Sequence, residues 1–204
     1  MLMSKTDLEQ KILPATPLLK AYWTLVLKWQ KTVNLVSPNT LKEGWNRHIL
    51  DSAQLYFLIK NQQDVLMDVG SGAGFPGLVI AILNQVFKGP LRQIILVESD
   101  LKKSLFLKEC IRVLELSDVV VRRERVEMIQ EQPDVITARA FAPLDKLFLL
   151  IRKNVSRETI LLLPKGKSVD NELNNLPVKC RIEKIKNVVN SDGCILKIEE
   201  VSYE

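Results

Sequence analysis

Half of the glycines in this chain fall in one short window. The sequence of 204 residues has 8 glycines, and Gly70, Gly72, Gly74 and Gly77 are four of them. The run Val65-Leu66-Met67-Asp68-Val69 precedes them and has the composition of a buried strand. An apolar segment beginning Leu78-Val79-Ile80 follows, with Pro76 near its first helical turn. A strand that turns into a helix on glycines lets backbone approach a ligand closely, because no Cβ intervenes. The plainer alternative is a tight strand-to-helix turn with no ligand. Both require a strand, a turn and a helix in direct succession.

The chain beyond the window repeats that unit. Residues 93–97, 118–121, 134–137 and 159–163 are apolar and β-branched enough to be further buried strands, with helix-length segments in between. One of these, residues 101–116, is predicted to turn Leu105, Leu107, Ile111 and Leu114 inward. The alternation predicts an α/β fold with a doubly wound, mostly parallel sheet covered by helices on both faces. Residues 178–189 and 194–201 break the pattern. Joined by Asn190-Ser191-Asp192-Gly193, they predict an antiparallel hairpin that ends the sheet.

The front of the chain is different and holds all three tryptophans. From Leu18, the stripe Tyr22, Leu25, Trp29, Val33 and Val36 predicts one amphipathic helix. Its opposite face carries Lys20, Thr24, Lys28 and Lys31, either a solvated back or an RNA-facing strip. A second helix is expected over about residues 46–60, with Arg47 and Asp51 one turn apart as an ion pair. Residues 1–60 thus form a helical extension packed on a core of residues 61–204, one domain overall.

With 47% hydrophobic and 26% charged residues, the composition is that of an ordinary globular chain and excludes a disordered or collagen-like one. Twenty-nine Lys and Arg against 24 Asp and Glu give a net charge of +5, which favours a polyanionic partner such as nucleic acid. Apolar runs such as residues 78–83 fall far short of a membrane span, and the first residues lack an apolar signal core, so a soluble, non-exported chain is expected. Cys110, Cys180 and Cys194 form no C-x-x-C pattern and are expected to be free thiols in a reducing compartment. His48 is the only histidine, which excludes a His-rich metal site; no structural metal is expected.

Side chains around the glycines separate the candidate ligands. Gly72 and Gly77 have the spacing of a nucleoside triphosphate loop, but Leu78-Val79 stand where that loop needs Lys and Ser or Thr. The dinucleotide fingerprint Gly72-x-Gly74-x-x-Gly77 also fits, yet Asp68 closes the strand just before it, and a carboxylate there repels a diphosphate. A cation suits it better. S-adenosylmethionine carries a sulfonium and an ammonium and no phosphate, and Glu98, ending the second strand, is placed to accept hydrogen bonds from its ribose.

Six segments together resemble a known family. Trp29-Gln30-Lys31-x-x-Asn34-Leu35, Arg47-His48-Ile49-Leu50-Asp51-Ser52, residues 68–77, Arg125-Val126-Glu127, Arg139-Ala140-Phe141-Ala142 and Lys165-Gly166 are similar, in order, to the bacterial small-subunit ribosomal RNA guanine-N7 methyltransferases, the RsmG or GidB family. The resemblance implies a Rossmann-like fold and methyl transfer from S-adenosylmethionine to N7 of a guanine in 16S ribosomal RNA. It further implies a cytoplasmic monomer acting on the small subunit or an assembly intermediate, without metal or membrane. It assigns Asp68, Gly70, Gly72, Gly74, Phe75, Gly77, Glu98, Val126, Glu127 and Arg139 to the cofactor, and Arg139, Lys165 and His48 to the reaction.

The residues themselves narrow the chemistry. Methyl transfer to an exocyclic amine in the familiar enzymes relies on Asn or Asp followed by Pro-Pro-aromatic after the fourth strand, where this chain has Ala138-Arg139-Ala140-Phe141. Transfer to a pyrimidine carbon needs a cysteine nucleophile, usually after proline, and no cysteine here has that setting. Guanine N7 is an in-plane lone pair that needs no base. On the ligand rim, Arg139 is placed to orient guanine through O6 or a phosphate; the alternative for it and for Lys165 is a surface ion pair. His48, beside Ile49 and Leu50, is either a packed structural residue or part of the pocket rim, and the run Arg122–Arg125 is either solvated charge or an adenine-side, RNA-facing edge. Two other functions compete: a non-catalytic RNA-binding or ribosome-assembly protein that keeps the loop as structure, and a dinucleotide-dependent reductase.

Overall fold

Residues 3–60, 62–174 and 176–203 are described by a computed structural model. The apolar runs become β1 (Val65–Val69), β2 (Gln93–Val97), β3 (Val119–Arg122), β4 (Val135–Ala138) and β5 (Ile160–Lys165), all parallel. The closing pair, β6 (Val178–Lys186) and β7 (Cys194–Tyr203), is antiparallel, and β7 also pairs antiparallel with β5. The seven strands lie in the order β3-β2-β1-β4-β5-β7-β6. From β1 the chain winds to one side through β2 and β3, then returns to build β4 and β5 on the other. The crevice this reversal leaves at the carboxyl ends of β1 and β4 is where open α/β sheets bind ligands.

Both faces of the sheet are covered, which is why its central strands are apolar without alternation. Leu66, Ile94 and Val135 face one cluster; Met67, Ile95 and Ile136 face the other. Helix α1 (Lys5–Lys11), capped by a reciprocal Ser4–Asp7 box, and α2 (Thr16–Trp29) sit on the first face. Between them and the sheet lies α4 (Gly77–Phe87), buried from Gly77 to Asn84 because it has protein on both sides. Leu8, Leu19, Tyr22 and Val26 join the same cluster as Leu78 and Leu83 of α4, so the front helices complete this core. The remaining helices are α3 (Asp51–Tyr56), α5 (Leu101–Val113), α6 (Leu144–Leu150) and α7 (Val169–Leu173). No helix among the described residues is long and apolar enough to cross a membrane.

Several expected boundaries shift. Helix α2 ends at Trp29, and Val33 and Val36 reach the core from a turn. Gln30 causes this: its Oε1 accepts the amides of Leu35 and Val36 and its Nε2 donates to the Val36 carbonyl, so one side chain replaces the helical bonds. Residues 45–50 are π-helical before α3, which stops at Tyr56. In α5, Phe106 packs edge-on against Trp29 at 5.6 Å, and Phe106, Leu107 and Cys110 are buried. That rotation leaves Leu105 exposed and Ile111 half-buried, whereas Leu114 is buried as expected. The hairpin turn spans residues 187–193, longer than expected, because the Asn187 carboxamide accepts the amides of Val189 and Asn190.

One bond joins the helical front to the glycine segment: the buried Tyr22 hydroxyl donates to the Ala73 carbonyl. Tyr22→Phe leaves that carbonyl buried without its partner and is expected to lower stability by about 1–3 kcal/mol. Urea denaturation checks this, and an unchanged midpoint contradicts it.

Candidate active site

The loop from β1 to α4 is fixed by side chains as well as by its own backbone. Gly70 (φ +68°), Gly72 (+56°) and Gly74 (+91°) take left-handed conformations. At Gly70 a Cβ would also run into the Phe141 ring; at Gly77, of ordinary φ, it would stand 2.7 Å from Asp68 Oδ2. Both close approaches therefore require glycine. Two carboxylates grip the turn. Asp68 Oδ2 accepts the Gly77 amide at 3.2 Å and Oδ1 accepts the Thr137 hydroxyl at 2.8 Å, joining β1, α4 and β4. Glu98 Oε2 accepts the Gly72 amide at 2.9 Å, and its Oε1 accepts the Asp100 amide at 2.8 Å.

These contacts separate two residues that the sequence places against the cofactor, Asp68 at its cationic end and Glu98 at its ribose. Asp68 is wholly buried, so in this geometry its charge meets a ligand only through the loop it holds. Glu98, just after β2, is 8% exposed, and each of its oxygens retains a lone pair for a further donor. Phe75 is buried beneath the loop, between Tyr22 and His48. Gly74 and Gly77 are also buried. After β3, Val126 packs into the core and Glu127 is half-buried on the same short turn.

Two cavities open above this frame. The smaller, about 340 Å³, is lined by Gly70, Gly72, His48, Lys103 and Arg139 among others. The larger, about 690 Å³, is lined by Arg139, Phe141, Lys165, Glu43 and the turn residues Asn187 and Asn190. Arg139 belongs to both and stands at their junction. Its guanidinium lies 3.3 Å from Asp51 Oδ2 and donates to the Arg47 carbonyl at 2.6 Å, while the other terminal nitrogen is buried without a partner among the described residues. The expected Arg47–Asp51 pair is thereby corrected: Asp51 points inward to Arg139, and Arg47 is exposed. Lys165 lies 2.7 Å from Glu172, which also accepts the Leu144 amide, so its ammonium is held against the wall of the larger cavity. Among the described residues no group of three or more His, Cys, Asp or Glu side chains is gathered to hold a metal ion.

Residues 15–195 match the family described as rRNA small subunit methyltransferase G (GidB). The chain belongs to this family. Ribosomal RNA small subunit methyltransferase G of Jannaschia sp. (strain CCS1) is 40% identical over 188 residues, covering 91% of this chain and 89% of the relative. That of Rhodospirillum rubrum is 41% identical over 192 residues, covering 90% and 89%. Solved structures agree on the Rossmann-like methyltransferase fold. A SAM dependent methyltransferase from Aquifex aeolicus superposes with a TM-score of 0.55 at 13% identity, over 81% of this chain and 93% of that one. The ribosomal protein L11 methylase from Lactobacillus delbrueckii subsp. bulgaricus does so with a TM-score of 0.59 at 10% identity, over 76% and 78%.

In this GidB chain two buried titratable groups of the site, His48 and Asp68, are shifted in opposite senses. His48 stacks on Phe75 (4.9 Å) with Trp23 on its far side (6.1 Å), and its Nε2 lies 3.0 Å from the Thr40 hydroxyl. Burial, with the charges of Arg139 and Arg47, pushes its pKa down to about 4, so the ring is neutral near pH 7. Burial also pushes Asp68 up to about 6, against the hydrogen bonds it accepts. Folded Asp68 holds a proton that the unfolded chain releases near 3.8, so its contribution to stability is lost as pH rises through about 6. Folded His48 stays neutral where the unfolded ring protonates below 6.5, so stability falls as pH drops towards about 4. The two contributions, each on the order of 3 kcal/mol, oppose one another.

Relative to the native chain, Asp68→Asn is therefore expected to lose stability on going from about pH 7 to about pH 4.5, and His48→Gln to gain it. Denaturant titrations at both pH values measure this; the same pH trend in the two variants contradicts the assignment.

Proposed function

We propose that this chain transfers the methyl group of S-adenosylmethionine to N7 of a guanine in 16S ribosomal RNA. The observation that carries this reading is the pair of adjoining cavities, one floored by the glycine loop, that share Arg139. The residues suit the cofactor: Gly72 presents backbone with no side chain to the smaller cavity, Glu98 supplies acceptors for ribose hydroxyls, and no Lys-Ser or Lys-Thr pair follows the loop to hold phosphate. When bound, S-adenosylmethionine supplies an electrophilic methyl carbon on a cationic sulfur.

What the protein must add is position. The C–S bond breaks as the C–N7 bond forms, positive charge passes from sulfur to the purine, and no proton leaves. His48, whose pKa of about 4 makes it a weak proton acceptor, and Lys165, engaged by Glu172, are compatible with a step that needs no general base. Arg139 is suited to donate to guanine O6 or a neighbouring phosphate, leaving N7 free. The stacked aromatics behind His48 fix the wall against which the reactants align. The net charge of +5 and the exposed Lys20, Lys28 and Lys31 on and just after α2 favour an RNA partner. The proposal includes a cytoplasmic monomer acting on the small subunit or an assembly intermediate, without metal.

The direct test incubates the purified chain with small-subunit RNA and isotope-labelled S-adenosylmethionine, followed by nucleoside mass analysis. Labelled 7-methylguanosine is expected. Cofactor binding without transfer would instead support a non-catalytic assembly protein. Arg139→Ala is expected to slow single-turnover transfer by roughly ten- to a hundredfold at saturating cofactor while calorimetric cofactor affinity stays within about threefold. Unimpaired transfer would make Arg139 a structural ion-pair residue, and a collapse of cofactor binding would assign it to the cofactor side alone.

A further inference from the structure

We propose that Asp51 is the positioning residue for Arg139 and that, through Asn187, it ties this arginine to the hairpin turn walling the larger cavity. The inference rests on the methyl-transfer reading for its kinetic consequence, but its structural content stands on the contacts alone.

Asp51 is 6% exposed, and both of its carboxylate oxygens are engaged. Its Oδ2 lies 3.3 Å from Arg139, and its Oδ1 accepts Asn187 Nδ2 at 2.6 Å and Gln54 Nε2 at 3.0 Å. Asn187, itself 3% exposed, accepts Gln54 Nε2 at 3.0 Å and the amides of Val189 and Asn190 at 2.9 and 2.8 Å. Gln54 Oε1 accepts the Val188 amide at 3.2 Å. Each of the three side chains fixes the next, so the network has one arrangement. A buried carboxylate of this kind needs a cation, and Arg139 is the cation it contacts.

For Arg139 the consequence is orientation. Asp51 and the Arg47 carbonyl both engage one terminal nitrogen, while the other is buried and has no acceptor among the described residues. A buried donor without a partner is costly and rare in folded proteins. That unmet donor belongs to a residue that lines both cavities, so how the guanidinium is held decides which of its N–H groups a ligand meets. The turn that Asn187 organises lines the larger cavity through Asn187, Val189, Asn190 and Ser191. RNA pressing on this turn and RNA engaging Arg139 therefore act on the same buried carboxylate.

Asp51→Asn keeps the shape and removes the charge. In single-turnover transfer at saturating cofactor it is expected to cost about tenfold, with cofactor affinity within about threefold. In the Arg139→Ala background the same change is expected to cost less than about twofold, because Asp51 acts through Arg139. Equal losses in the two backgrounds, or an unimpaired single variant, overturn the proposal. A second readout does not need activity. The Arg139 guanidinium NMR signals, assigned by their loss in Arg139→Lys, are expected to exchange slowly with water in the native chain and quickly in Asp51→Asn. Slow exchange retained in that variant overturns the positioning role even if no methyl transfer is found, an outcome that by itself would defeat only the functional reading. Asp51→Ser serves as the second variant should Asp51→Asn unfold.

Discussion

Asp68 holds three pieces of chain in one place: it lies in β1, accepts the first amide of α4 and accepts a hydroxyl from the neighbouring β4. A buried carboxylate is expensive unless its oxygens are satisfied, and here two directed donors and the positive end of an eleven-residue helix offset that cost in part. Its pKa, raised to about 6, shows that the offset is incomplete. Glu98 grips the same loop from β2 through the Gly72 amide. The glycine turn is thus suspended between strands on either side of β1, and its conformation follows from the sheet order.

That suspension explains how a chain with few acid–base groups can build a reaction site. The loop floor, the Arg139 fork and the aromatic wall are fixed by contacts below the surface, so ligands meet a geometry already formed. Arg139 is the point at which the loop side and the hairpin side meet, and the buried Asp51 lies directly behind it.

The parts of this arrangement that were legible in the sequence are those set by local pattern. Strands buried on both faces leave apolar runs, and a backbone that approaches another group leaves glycines, so β1 to β5 and the loop could be located. Side chains that bond to nearby backbone, or that pack against distant segments, leave no such mark. Gln30 ends α2 with its own carboxamide, Phe106 turns α5 towards Trp29, and Asn187 lengthens the hairpin turn. Arg47 and Asp51 look like a one-turn pair in the sequence. With residues 45–50 π-helical, Asp51 faces inward, 3.3 Å from a guanidinium that the chain supplies only after β4. Thr137, in β4, and Glu172, in α7, which lock Asp68 and Lys165, carry no sequence signal beyond being polar. Asp68 itself was legible as a carboxylate beside the glycine loop, but its inward orientation was not.

The glycine loop is formed before any ligand arrives. Amide hydrogen exchange at Gly72 and Gly77, measured with and without S-adenosylhomocysteine, tests it most directly, because these are the amides that Glu98 and Asp68 accept. Strong protection is expected in the ligand-free chain, with little change on adding the ligand. Free exchange at both amides without ligand, with protection arising only on binding, would contradict it.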